Sequence, residues 1–156
     1  MTPIEFAGGW PILSILTFLP ALGAILILFL DKEETQLIRG IGLGFAGVVF
    51  LLSLYLPITF DASNPELQWV EKIVWIKSFG ISYYMGVDGI SLLLVLLTTF
   101  ITIVCMLSSW RDITKKIKGY TILFLLTETF SLGIFMAQDL FLFYVFWEAV
   151  LIPMVF

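Results

Sequence analysis

Three acidic residues in this chain lie where an apolar sequence rarely carries acids. Glu148 sits in LFLFYVFWEAVLIPMVF and Glu128 in TILFLLTETFSLGIFMAQ, each flanked on both sides by aliphatic and aromatic residues. Asp139 follows Gln138 in AQDLF, the short polar interval between them. If the run from Leu140 is a helix rising ~1.5 Å per residue, Glu148 lies ~12 Å in, near the middle of a ~30 Å hydrocarbon layer. An acid at that depth costs ~2.5 to 3.5 kcal/mol on insertion scales, so such groups face a bundle interior or a wet cavity and mark ion or proton routes.

Glu128 and Glu148 are each ten residues from Gln138, so antiparallel helices joined at AQDLF would bring them to one depth. Tyr144, four before Glu148, and Ser131, three after Glu128, share helical faces with them as candidate hydrogen-bond partners. Each acid also has a plain structural reading. Glu148 and Glu128 can stay neutral or pair with a basic residue for folding, and Asp139 can cap the next helix, although an acid at the mouth can also pass protons. Asp88, opening GVDGIS, reads as an N-cap, and Arg39 as a side chain that snorkels to the interface. Pro153, five beyond Glu148, leaves the Ala149 carbonyl without its helical donor.

The elements that must position these acids are apolar runs. The chain has 156 residues, 60% hydrophobic and 13% charged, with a mean hydropathy of +1.08, which is the composition of an integral membrane protein. Five transmembrane helices are expected, at about 10–30, 37–58, 87–110, 120–137 and from Leu140 to the end, where the last looks cut short. The fold class is therefore an all-α polytopic bundle, and the chain reads as a fragment or truncated product of a longer protein. Gly40 and Gly44 form a GxxxG that permits close packing of the second helix. The interval 59–86 is too polar to span. Its second half, VEKIVWIKSFGISYYMG, centres on Gly80 and reads as a short β-hairpin over the helix ends, with an interfacial helix as the alternative.

Basic residues set the orientation. Lys32, Arg39, Arg111, Lys115, Lys116 and Lys118 fall on one side against Lys72 and Lys77 on the other, which places the N-terminus on the outer side of the membrane. The net charge of −4, with no basic stripe, gives no sign of a nucleic-acid partner. There is no histidine and a single cysteine, Cys105, inside an apolar run, so the chain has no ligand set for an iron-sulfur cluster and no internal disulfide. GxxxxGKS does not occur, and no nucleotide cofactor is expected on this chain.

GIFMAQDLFLFYVFWEAVLIPM, with GVDGISLLLVLLTTFIT and SSWRDI, resembles the chain 4 (subunit M) family of respiratory NADH:quinone oxidoreductase, complex I. The resemblance implies an antiporter-like membrane subunit in which inverted helix repeats follow three peripheral helices. Residues 1–118 would then hold the peripheral helices with the 59–86 loop, and 119–156 the first two helices of an incomplete proton-translocation repeat. It implies that Glu148 is a proton-relay group pairing with a lysine on a later helix, and that Asp112 occupies a position often acidic in relatives. NADH oxidation, FMN, iron-sulfur clusters and quinone would belong to other subunits, and the partners would be other membrane-arm subunits, lipid and protons. A bacterial plasma membrane is favoured over the mitochondrial inner membrane. The rival readings are a subunit of a multi-subunit cation/proton antiporter or hydrogenase-linked complex, and a non-conducting structural subunit.

Overall fold

The computed structural model describes residues 4–6, 12–59, 68–110 and 115–155. Long runs of Leu, Ile, Val and Phe satisfy their own backbone only as helices, and five form: α1 (Ile12–Leu28), α2 (Thr35–Thr59), α3 (Gly89–Ser108), α4 (Ile117–Met136) and α5 (Leu140–Val155). Polar residues mark the breaks. Asp88 caps α3, its Oδ1 accepting from the Ser91 amide at 2.8 Å, as its place in the sequence suggests. Helices α2, α3 and α4 are long and apolar enough to cross a membrane, while α1 and α5 are apolar but shorter, at 17 and 16 residues. The chain is a membrane protein. Bulky apolar side chains such as Leu51, Ile58, Leu93 and Phe100 stand on the outside of the bundle.

The interval between α2 and α3 is a hairpin of β2 (Gln68–Ile76) and β3 (Ile81–Val87), turning through Lys77–Phe79 and through Gly80, whose φ of +68° is a left-handed conformation that glycine adopts without strain. It is the expected hairpin and not the alternative helix. One strand has no counterpart in the sequence reading. β1 (Ile4–Phe6) pairs antiparallel with β2, Ile4 opposite Ile73, to give the order β1–β2–β3. Three residues are too few to show an alternating pattern.

The buried interior forms two apolar clusters. One, toward the hairpin, contains Ile12, Leu16, Val49, Val95, Leu132 and Phe146, and the other contains Ala24, Ile27, Ile38, Met106, Ile117 and Leu125. At the end away from the hairpin, Lys118 donates to the carbonyls of Leu28 and Leu30 at 3.0 and 2.7 Å, tying the start of α4 to the end of α1. The half-buried Arg39 guanidinium lies 5.6 Å from the centre of the Trp110 ring, a cation–π contact. The GxxxG expectation is corrected: a Cβ at Gly40 or Gly44 would meet open space, whereas one at Gly42 would lie 2.5 Å from the Thr121 methyl. Close approach of α2 to α4 therefore runs through Gly42.

Candidate functional site

The α4–α5 turn is held by the hairpin. The Gln138 amide donates to the Tyr84 carbonyl at 2.8 Å, its side-chain Nε2 to the Gly86 carbonyl at 3.1 Å, and Ala137 forms a β-bridge with Met85. Asp139 completes the clasp. Its Oδ1 accepts from the Phe141 and Leu142 amides at 2.9 and 3.2 Å, capping α5, while Oδ2 accepts from the Ser82 amide of β3 at 3.0 Å. The Ser14 and Tyr83 hydroxyls, 2.8 Å apart, join the hairpin to α1. Sequence reasoning placed Asp139 at a helix start but missed Ser82, Tyr84 and Gly86, because backbone groups of a distant strand leave no mark in residue type.

From this fixed turn the helices run back antiparallel. Glu128 is eight residues before Met136 and Glu148 eight after Leu140, so both lie ~12 Å from the turn, at the depth that their spacing suggests. They do not face each other. Glu128 is 2% exposed and belongs to the buried stripe of α4 with Thr121, Leu125 and Leu132. The buried stripe of α5 is Leu142, Phe146, Val150 and Pro153, and Glu148, two residues from Phe146 and from Val150, points about 200° away from it. It stands on an exposed band with Tyr144 (58% exposed), Trp147 (50%) and Ile152 (61%).

Neither carboxyl oxygen of Glu128 has a hydrogen-bond partner, so the pairing with Ser131 is not made, and the neighbouring Thr129 hydroxyl is also without one. Asp112 lies outside the described residues. Among the described residues no three His, Cys, Asp or Glu side chains come together in a way that could hold a metal ion. The arrangement offers two carboxyl groups at one depth on opposite sides of a helix pair. One is enclosed by the bundle and the other is presented to whatever packs on α5.

The model of a family described as NADH-ubiquinone oxidoreductase chain 4, amino terminus, matches residues 10–137. The chain is similar to NADH-ubiquinone oxidoreductase chain 4 of Arabidopsis thaliana, at 45% identity over 142 residues, covering 91% of this chain and 29% of that protein. Among solved structures it resembles a chain of respiratory complex I from Thermus thermophilus with bound NADH, with a TM-score of 0.74 and 31% identity, covering 90% of this chain and 27% of that one. It shares its fold with a chain of the Mrp complex from Dietzia sp. DQ12-45-1b, at a TM-score of 0.69, 21% identity and coverage of 91% and 15%. The chain thus spans less than a third of the relatives it matches, and the matched family region takes in α4 but ends at Ala137, before Asp139 and α5. It belongs to the family of NADH-ubiquinone oxidoreductase chain 4, to whose amino-terminal part it corresponds.

Proposed function

We propose that this chain is part of a proton-translocating membrane-arm subunit of NADH:quinone oxidoreductase, with Glu148 as its proton carrier. The observation that carries the reading is the outward placement of Glu148, halfway along an apolar helix whose start is fixed by the Asp139 cap. A carboxyl group at the middle of such an apolar face calls for a partner packed against it. A cation on a helix packed against α5 answers that need. Moved toward Glu148 it stabilises the carboxylate and releases the proton, and moved away it lets the acid reload.

Carrying one charge against a potential costs ~2.3 kcal/mol per 100 mV, and the energy for it would come from NADH oxidation by quinone in other subunits. The absence of histidine and the single cysteine in the sequence fit this division of labour. The charge distribution supports placing the hairpin and the α4–α5 turn on the outer side of the membrane. Asp139, bonded to three backbone amides, acts in this reading as a cap and clasp and not as a proton port.

The test is Glu148→Gln in the full-length subunit. The complex assembles and proton translocation coupled to quinone reduction is lost, whereas normal pumping by the assembled variant would reject the reading in favour of a structural subunit. The fold shared with the Mrp complex keeps a second reading in view. Co-purification with NADH-oxidising subunits supports the proposal, and co-purification with antiporter subunits supports the rival.

A further inference from the structure

The buried side of the bundle carries a polar layer between its two apolar clusters. On α4, Glu128 and Thr129 lie between Leu125 of one cluster and Leu132 of the other. On α1, Thr17 lies between Leu16 and Ala24, and on α3, Thr99 and Thr102 lie between Val95 and Met106, again one residue from each cluster. All five are at most 4% exposed.

This layer is rich in acceptors and short of donors. A hydroxyl has one proton to give, and Thr17 and Thr102 give theirs to the carbonyls of Leu13 and Thr98, both at 2.8 Å, leaving lone pairs free to accept, while Thr99 lies 3.0 Å from the Leu96 carbonyl and 3.1 Å from the Ser53 hydroxyl. Pro20, on the buried stripe of α1, has no N–H for the Leu16 carbonyl. Both oxygens of Glu128 and the hydroxyl of Thr129 are buried without a partner, three such atoms on adjacent residues. Buried polar atoms are rarely left so, because each forfeits its hydration with nothing in return.

We infer that this layer is an internal water-binding site, in which water donates to the Glu128 carboxyl, accepts from Thr129, and gives Glu128 proton exchange on the side of α4 facing away from Glu148. Water fits better than a cation. The Thr129 hydroxyl, without a partner, has a proton to give, and water both accepts from a hydroxyl and donates to a carboxyl, which a metal cation does not. The inference concerns the interior of the bundle and stands independently of the role given to Glu148.

The experiment is infrared difference spectroscopy on the full-length subunit in its assembled complex in phospholipid vesicles, comparing wild type with Glu128→Gln before and after exchange of H₂O for D₂O. A carboxyl signal that is absent in Glu128→Gln is expected, moving within minutes of exchange and persisting in Glu148→Gln. A Glu128 signal unmoved by D₂O after hours overturns the inference. So does one that responds to replacing Na⁺ by choline but not to D₂O, which would assign the site to a cation. If Glu128→Gln fails to assemble, Thr129→Val serves instead. It removes one partner of the water and is expected to shift the D₂O-sensitive carboxyl signal, and an unchanged spectrum overturns the inference equally.

Discussion

The inner face of α4 and the outer face of α5 present the same chemical group at the same distance from the same turn, and give it opposite surroundings. Helical phase makes the difference. Glu128 is three residues after Leu125 and four before Leu132, so it falls on the stripe that packs against the bundle. Glu148 is two residues from both Phe146 and Val150, which turns it to the far side. Depth alone therefore does not identify a proton carrier in a membrane helix. The face on which the acid stands decides whether a second helix can switch it.

The comparison depends on α4 and α5 staying in register, and the most damaging change to that register is at Gly133. A Cβ there would lie 2.6 Å from the Phe146 ring, so Gly133→Ala is expected to force α5 off α4 and cost ~1 to 3 kcal/mol of stability, read as a lowered thermal midpoint of the full-length subunit. Gly119→Ala, with nothing within 4 Å of its Cβ, is the control and should be close to neutral.

A smaller effect is expected at the clasp. Asp139→Ala removes the acceptor of three amides and should cost ~0.5 to 2 kcal/mol, as for other lost N-caps. Asp139→Asn keeps a side-chain oxygen for the cap and should retain most of the stability and the pumping. A variant Asp139→Asn that folds normally and does not pump would restore the proton-port reading.

The smallest effect is electrostatic and far from both acids. The Ser91 amide, with lesser help from the Ser91 hydroxyl and the Ile90 amide, holds the Asp88 carboxyl below the usual carboxylate range against the opposing effect of desolvation. A group depressed in the folded state stabilises the fold above its unfolded pKa, ~3.9 for Asp, and that contribution is lost as pH falls through the lower folded value. Melting of the wild type should therefore drop slightly on the acid side, and Asp88→Asn should remove that part of the pH dependence. An equal acid-side drop in both would contradict the cap.

Much of this was legible in the residues. Uninterrupted apolar runs can satisfy their backbone only as helices, so the five helices and their breaks were open to view. Gly80 amid β-branched and aromatic residues announced the hairpin, and Asp88 and Asp139 stood where caps stand. The direction of Glu148 was not legible. In LFLFYVFWEAVLIPMV nearly every position is apolar, so no periodic stripe reveals which face packs inward. The same holds for Gly42, which forms the close contact while the GxxxG beside it faces open space. Backbone partners such as Ser82 and Tyr84 depend on a tertiary contact that residue type does not encode.

If the outward acid, and not the enclosed one, carries the translocated proton, the two glutamates differ in what their loss does to pumping. Proton uptake by vesicles holding the assembled complex with Glu148→Gln or Glu128→Gln, under NADH-driven turnover, measures that difference. Glu148→Gln is expected to lower uptake at least about tenfold, a barrier change of ~1.4 kcal/mol or more, and Glu128→Gln by no more than about threefold. Loss of uptake in Glu128→Gln with uptake preserved in Glu148→Gln would contradict that role for Glu148.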